Sequence, residues 1–321
     1  MSGDDQQPDF FDQNVGSSLP PPQSIAESIT EIKTFALYNF TQEAATKQLY
    51  YHNHEHIQNV QRRSQQIFQA IADYHPEIDR SRTELLLDLC VVAHDMVQVF
   101  AQNSQQNTAR KRDTGVSEMA TIEQILQYIH QLNSRLDADS SARLTEADID
   151  IIRESIEATI CVYDPIEQAI YQPSLQNGRS LSIVARILAL ADLGALGIDG
   201  IEVYNEEGSL IFLEENLDVV PLLMDGSIHQ LKTNSALHEN IRHRLLRRSR
   251  FQVHFAKSRL ARFDREIQEF SSDAIPILKE IFKHLTPENI QIISTMTPTD
   301  EAVSLADLLQ FFQLERYLRS P

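Results

Sequence analysis

The sequence predicts a mainly α-helical protein. Apolar residues recur at helical spacing through most of residues 24–200. Convincing period-2 runs are scarce. Gly and Pro, at 9 and 12 of 321 residues, are too few for the many turns of an all-β chain.

In chain order, residues 1–24 are acidic, rich in Gln, Ser and Pro, and read as a disordered tail. A short helical pattern begins at Ser24 and runs to about Asn39. Between Asn53 and Asp73, Ile57, Val60, Ile67, Phe68 and Ile71 follow roughly helical spacing. Residues 82–100, RTELLLDLCVVAHDMVQVF, are apolar on nearly every side and predict a buried helix. Residues 101–115 read as a polar loop holding Arg110, Lys111 and Arg112. Helices are expected over 116–134, 145–162 and 180–196, with Thr145 and Asp148 capping the second. The segment 201–213, IEVYNEEGSLIFL, is a candidate hairpin, and 228–270 reads as one long helix or two. The last fifty residues look helical, with breaks near Pro287 and Pro298. This organises the chain as a tail (1–24), a helical core (25–200) and a C-terminal helical extension packed on it (201–321).

Twenty-eight Lys and Arg stand against 46 Asp and Glu, a net charge of −18. That balance argues against a general nucleic-acid binder, whose affinity comes largely from cationic contacts to phosphates. The charge is uneven. Asp199–Asp225 holds eight acids and no Lys or Arg, whereas Ile241–Arg265 holds nine Lys or Arg and one acid, Asp264. The two stretches are expected to pack together, within one chain or between twin subunits of a homodimer. Cys90 and Cys161 form no CxxC pair and read as buried reduced thiols. The N-terminus lacks the features of a secretory signal, and no run of 18 apolar residues occurs. A cytoplasmic protein without a membrane partner is the expectation.

Chemistry concentrates in three apolar segments: YYHNHEHIQNV, CVVAHDMV and LALADLGALG. A buried carboxylate or imidazole costs several kcal/mol unless it is paired or ligates a metal. On a helix, i,i+4 spacing places His52 and His56 on one face and turns His54 elsewhere. His94 and Asp95, about 100° apart on a helix, still reach one ion beside their shared edge. His56, His94, Asp95 and Asp192 together offer two imidazoles and two carboxylates. Such donors suit one Mn²⁺, Fe²⁺, Co²⁺, Ni²⁺ or Zn²⁺ better than Ca²⁺, and leave positions for water, the mark of a catalytic site.

The hexapeptide Tyr51-His52-Asn53-His54-Glu55-His56 resembles the YHNxxH pattern of HD-superfamily metal-dependent phosphohydrolases, a pattern shared with class I cyclic-nucleotide phosphodiesterases. His94-Asp95 is similar to the doublet that names the superfamily, and Ala191-Asp192-Leu193 to its final metal-binding Asp. The resemblance covers roughly residues 30–200. It implies an HD/phosphodiesterase-like helical bundle with additional C-terminal helices. It assigns the metal to His56, His94, Asp95 and Asp192, and proton donation to His52. Glu118, in SEMAT, is similar to an acidic residue that bacterial relatives carry after the doublet, which implies a catalytic role. The chain also departs from its relatives. The HDxxH of phosphodiesterases reads HDMVQ here, placing Gln98 where the second His would stand, and the HDxxED of guanosine tetraphosphate hydrolases is absent. One metal is therefore expected, and cyclic nucleotides are not the natural substrate class.

On this resemblance the chain hydrolyses a small phosphate ester, a nucleotide among the candidates, with Arg110, Lys111 or Arg112 neutralising phosphate charge. The rival reading is a non-catalytic metal- or ligand-binding regulatory protein that retains the fold. Gln98 and the unassigned C-terminal part favour the rival; the intact YHNxxH favours the enzyme.

Overall fold

The computed structural model describes residues 20–101, 107–176 and 180–318. Most of the expected tail, and residues 102–106 of the polar loop, lie outside that range.

The first helix, α1 (Ile25–Lys47), starts where Ser24 accepts a hydrogen bond from the Glu27 N–H. It runs past Asn39 because Ile29, Ile32, Ala36 and Phe40 keep one stripe buried. Next come α2 (His54–Ile71) and α3 (Arg80–Ala93). Helix α4 (Val116–Ser134) occupies the span its periodicity predicts. Helix α5 (Glu146–Ala158) opens with the expected device: Thr145 and Asp148 exchange side-chain-to-backbone hydrogen bonds in a capping box.

After α5 the chain forms a short antiparallel hairpin of β1 (Val162–Asp164) and β2 (Ala169–Tyr171), with Val162 opposite Tyr171. Its turn is set by Asp164, whose Oδ1 accepts the N–H groups of Ile166 and Glu167. Helix α6 (Ile183–Asp192) and a π-turn (Ala195–Asp199) follow. The remainder is α7 (Ile201–Glu215), α8 (Val220–Met224), the 31-residue α9 (Ala236–Glu266), α10 (Ala274–Ile281), α11 (Pro287–Met296) and α12 (Leu305–Phe312). None of these helices is long and apolar enough to cross a membrane.

Two expectations need correction. Residues 201–213 form helix, not a hairpin: Tyr204, Gly208 and Phe212 bury one face at a spacing of four, and Gly208 lets Gln252 of α9 approach. The hairpin lies instead at 162–171. The helix expected over 82–100 ends at Ala93. Beyond it the backbone N–H groups of Val97, Gln98 and Val99 donate to Thr121, Glu43 and Ser117 side chains, which replace helical partners.

The core is built in three parts. The largest joins α1–α6 and also takes in Phe263 and Ile267 beside the end of α9, and Leu278 and Phe282 at α10, so residues beyond 200 complete it. A second cluster gathers Phe212, Leu223, Leu245, Leu308 and Phe312. A third, around Tyr204, Val253 and Ile293, bridges α7, α9 and α11. Gly197 shows how tight these contacts are. A Cβ there would meet Phe282 Cδ1 at 2.4 Å. Gly197→Ala should therefore destabilise the protein by about 1–3 kcal/mol, as overpacking does; urea unfolding measures it, and an unchanged midpoint contradicts it.

The charge layout follows the expected attraction only in part. Arg244 of α9 forms a two-nitrogen bridge to Asp218. Three other acids of that stretch look elsewhere: Asp199 and Glu207 hold the fully buried Arg63 of α2 at 2.7 Å each, and Glu214 binds His52. Further along α9, Arg262 clasps Asp164 and Glu167 of the hairpin, and Arg259 pairs with Glu266.

Candidate functional site

The site forms where helix ends converge. Asn53 is the N-cap of α2: its Oδ1 accepts the His56 N–H at 3.0 Å, and its Nδ2 donates to the Tyr50 carbonyl. The Asn of the motif therefore places His56 in the first helical turn, with His52 just before the cap. His52 and His56 thus do not share a helix face, contrary to the i,i+4 expectation, yet their ring centroids lie 5.7 Å apart. His54 turns away to Phe40 and Thr41. His94 is the C-cap of α3 and Asp95 lies in the turn beyond, so these two converge because the helix stops. Asp192 is the last residue of α6.

Three of the four predicted ligands, His56, His94 and Asp95, come together, and Asp192 stands beside them. Asp95 Oδ2 lies 3.2 Å from His56 Nε2 and 3.1 Å from His94 Nε2. Asp192 Oδ1 lies 3.7 Å and 3.8 Å from the same two nitrogens. Despite that proximity, neither Nε2 makes a hydrogen bond, although both are buried. His94 donates from Nδ1 to the Val91 carbonyl at 2.8 Å, which leaves a lone pair on Nε2 facing the carboxylates. Donors about 2.1 Å from one ion stand about 3.0–3.4 Å apart, close to this spacing. His56, His94 and Asp95 are a geometrically suitable trio for an ion. The orphaned nitrogens, the fixed His94 tautomer and the mixed N/O donors fit a divalent transition metal. Helices α3 and α6 both end here, and their C-terminal dipoles favour a cation.

The carboxylates draw positive charge to this point, where a proton and a metal ion compete for the same His94 nitrogen. Burial opposes charge on His94, but Asp95 and Asp192 outweigh it and raise its pKa well above the ordinary value. Burial also opposes charge on Asp95, but His94, His52 and His56 hold its carboxyl well below the usual range. Asp192 Oδ2 accepts from Gln172 Nε2 at 3.2 Å, a contact delivered by the end of the hairpin.

Residues beyond the metal set divide. His52 Nδ1 lies 2.6 Å from Glu214 Oε1, while Glu214 Oε2 accepts the N–H groups of Tyr51 and His52. Burial pushes the Glu214 carboxyl up, yet His52 and Arg112 overcome it and bring it to about 2. Arg112 Nη1 approaches His52 Nε2 at 2.9 Å and donates to Gln98 Oε1 at 2.6 Å. Glu118, in the first turn of α4, has its carboxyl raised by burial and by Asp95, with Arg112 pulling the other way. It shares the electrostatic neighbourhood of the site.

Arg110 and Lys111 of the basic triplet do not reach the histidines. The Arg110 guanidinium is spent on the carbonyls of Glu214, Lys47 and Gln48 and lies 3.8 Å over the Phe100 ring. Lys111 is exposed, and its carbonyl accepts the Ala101 N–H. Of the triplet only Arg112 reaches the histidines.

Glu214 was not legible in the sequence. It sits 162 residues from His52 in LIFLEENL, whose only signal is an acid after an apolar run. No protein-family model, curated protein or solved structure matches the chain.

Proposed function

We propose that the chain is a metal-dependent phosphohydrolase of the HD type, with a mainly helical HD-like bundle, acting on a small phosphate ester such as a nucleotide. One observation carries the reading: two buried imidazole nitrogens without hydrogen-bond partners face two carboxylates across 3.1–3.8 Å. His56, His94, Asp95 and Asp192 would hold one divalent ion. Bound there, a divalent metal supplies Lewis-acid polarisation of a phosphoryl oxygen and acidifies water.

The chain's own groups do the rest. Arg112 neutralises phosphate charge at the mouth of the site. Arginine only donates, so in the free protein its bond to His52 makes Nε2 an acceptor, with Nδ1–H given to Glu214. When Arg112 turns to a phosphate, Nε2 is freed to take a proton from solvent and give it to the leaving oxygen. Glu214 keeps the ring in place and offsets the charge of its protonated form, as a buried carboxylate does for a catalytic histidine. Glu118 orients water or a substrate hydroxyl.

The role of His52 is testable through the leaving group. His52→Ala should slow hydrolysis of an alkyl phosphate by about a hundredfold or more, with metal content unchanged. p-Nitrophenyl phosphate, whose leaving group needs little protonation, should be much less affected. Equal losses on both esters contradict proton donation. The binding-protein reading draws on Gln98 and on the Arg112 contact to His52; it is favoured if the metal-loaded wild type hydrolyses neither ester.

A further inference from the structure

The two oxygens of Asp95 have different partners. Oδ2 faces the Nε2 atoms of His56 and His94. Oδ1 accepts from Gln98 Nε2 at 3.0 Å. The other end of the same amide, Oε1, accepts from Arg112 Nη1 at 2.6 Å, and that nitrogen stands 2.9 Å from His52 Nε2. Gln98 is 1% exposed, and its backbone is pinned on both sides: its N–H donates to Glu43 and its carbonyl accepts from Lys47 at 2.6 Å. The relay Asp95–Gln98–Arg112–His52 is therefore built, not incidental to a surface loop.

A carboxylate that bridges two ions gives one oxygen to each. In two-metal phosphoryl-transfer sites the second ion steadies one of the two oxygens of the in-line displacement. Here the second oxygen of Asp95 is taken by an amide, and the positive charge behind that amide is a guanidinium. Resting on the reading of His56, His94, Asp95 and Asp192 as the metal site, we propose that Arg112 is a built-in second cation. With Gln98 it fills the far side of Asp95, restricts the centre to one metal ion, and supplies the charge that grips the phosphoryl group.

The chemistry suits that role. A guanidinium presents five N–H donors and matches phosphate oxygens in pairs. The bonds to Gln98 and His52 use only Nη1. Arg112 is also exposed to solvent, so a phosphate meets it without opening the fold. The arrangement couples two events: a phosphate that draws Arg112 away also releases His52 Nε2 and Gln98 Oε1.

The test counts ions and measures inorganic phosphate binding. Wild type loaded with Mn²⁺ should hold about one ion per chain by elemental analysis, with the six-line EPR signal of an isolated ion. Gln98→His combined with Arg112→Ala, which adds a ligand and removes the fixed charge, should hold about two, with the signal of a coupled pair. Arg112→Met should keep one ion and lose roughly 10- to 100-fold in affinity for inorganic phosphate, the range for a charged hydrogen-bonding group. Arg112→Lys should recover part of that affinity, because it restores the charge but not the paired donors. Two ions in wild type overturn the proposal. So does one ion in a natively folded double variant, or an unchanged phosphate affinity in Arg112→Met; the last decides the matter even where the double variant does not fold. One ion in both wild type and double variant leaves the metal-site reading standing and removes only the built-in cation. No ion in wild type removes both.

Discussion

Asp192→Ala should cost the protein its metal and lower phosphate release by about a thousandfold or more, since a catalytic ion contributes several kcal/mol to the transition state. Asp192 is the ligand best placed to show this cleanly. It ends α6 and accepts a hydrogen bond from Gln172. Stability gives a second readout. An ion that binds only the folded chain stabilises it by about 4 kcal/mol at a thousand times its dissociation constant. The wild-type melting temperature should therefore climb with added Mn²⁺ or Zn²⁺, whereas that of Asp192→Ala should stay nearly flat. A variant that retains one ion per chain, or a wild type whose melting is indifferent to every divalent metal, contradicts the ligand set.

Glu214→Gln should produce the second large effect, on stability and turnover together. In the folded chain Glu214 accepts two backbone N–H groups and the His52 ring within 3.0 Å. Its carboxyl sits at about 2, against 4.5 ordinarily. Because the folded value is depressed, the ionised form stabilises the fold above the unfolded value, by about 3 kcal/mol. That contribution should fade as pH falls from about 4.5 to about 2. Urea unfolding across this window should show the wild type losing its advantage over Glu214→Gln, the two curves meeting near pH 2. A gap that stays constant from pH 7 to pH 2 contradicts the assignment. Turnover at neutral pH should fall by about a hundredfold or more, because His52 loses the partner that fixes its ring.

The His/Asp cluster was legible because ionisable residues stand out on apolar backgrounds. His94 and Asp95 interrupt CVVAHDMV, Asp192 interrupts LALADLGALG, and neither environment tolerates an unpaired charge. Local devices were equally readable, as the Thr145–Asp148 cap and the span of α4 show. Helix ends were not. The exit of the chain after His94 depends on Glu43, Thr121 and Ser117, which lie 18 to 55 residues away and take up the backbone donors of residues 97–99. A windowed apolar pattern carries no record of partners at that distance. The same limit hid Glu214 and the contacts of Arg110. Their roles are set by α7 packing against the loop before α2, and IEVYNEEGSLIFL is equally apolar as strand or helix until Gly208 meets Gln252. The small hairpin escaped because three-residue strands bury too little to impose an alternation.

The central claim is that the four-ligand site hydrolyses phosphate esters, and release of inorganic phosphate tests it most directly. The protein, loaded in turn with Mn²⁺, Fe²⁺, Co²⁺, Ni²⁺ and Zn²⁺ and shown to hold one ion per chain, is offered a panel of nucleotides and alkyl phosphates. The account predicts release from at least one ester with at least one metal, abolished by chelation and by Asp95→Ala. Metal-loaded protein that releases phosphate from no member of the panel would contradict it.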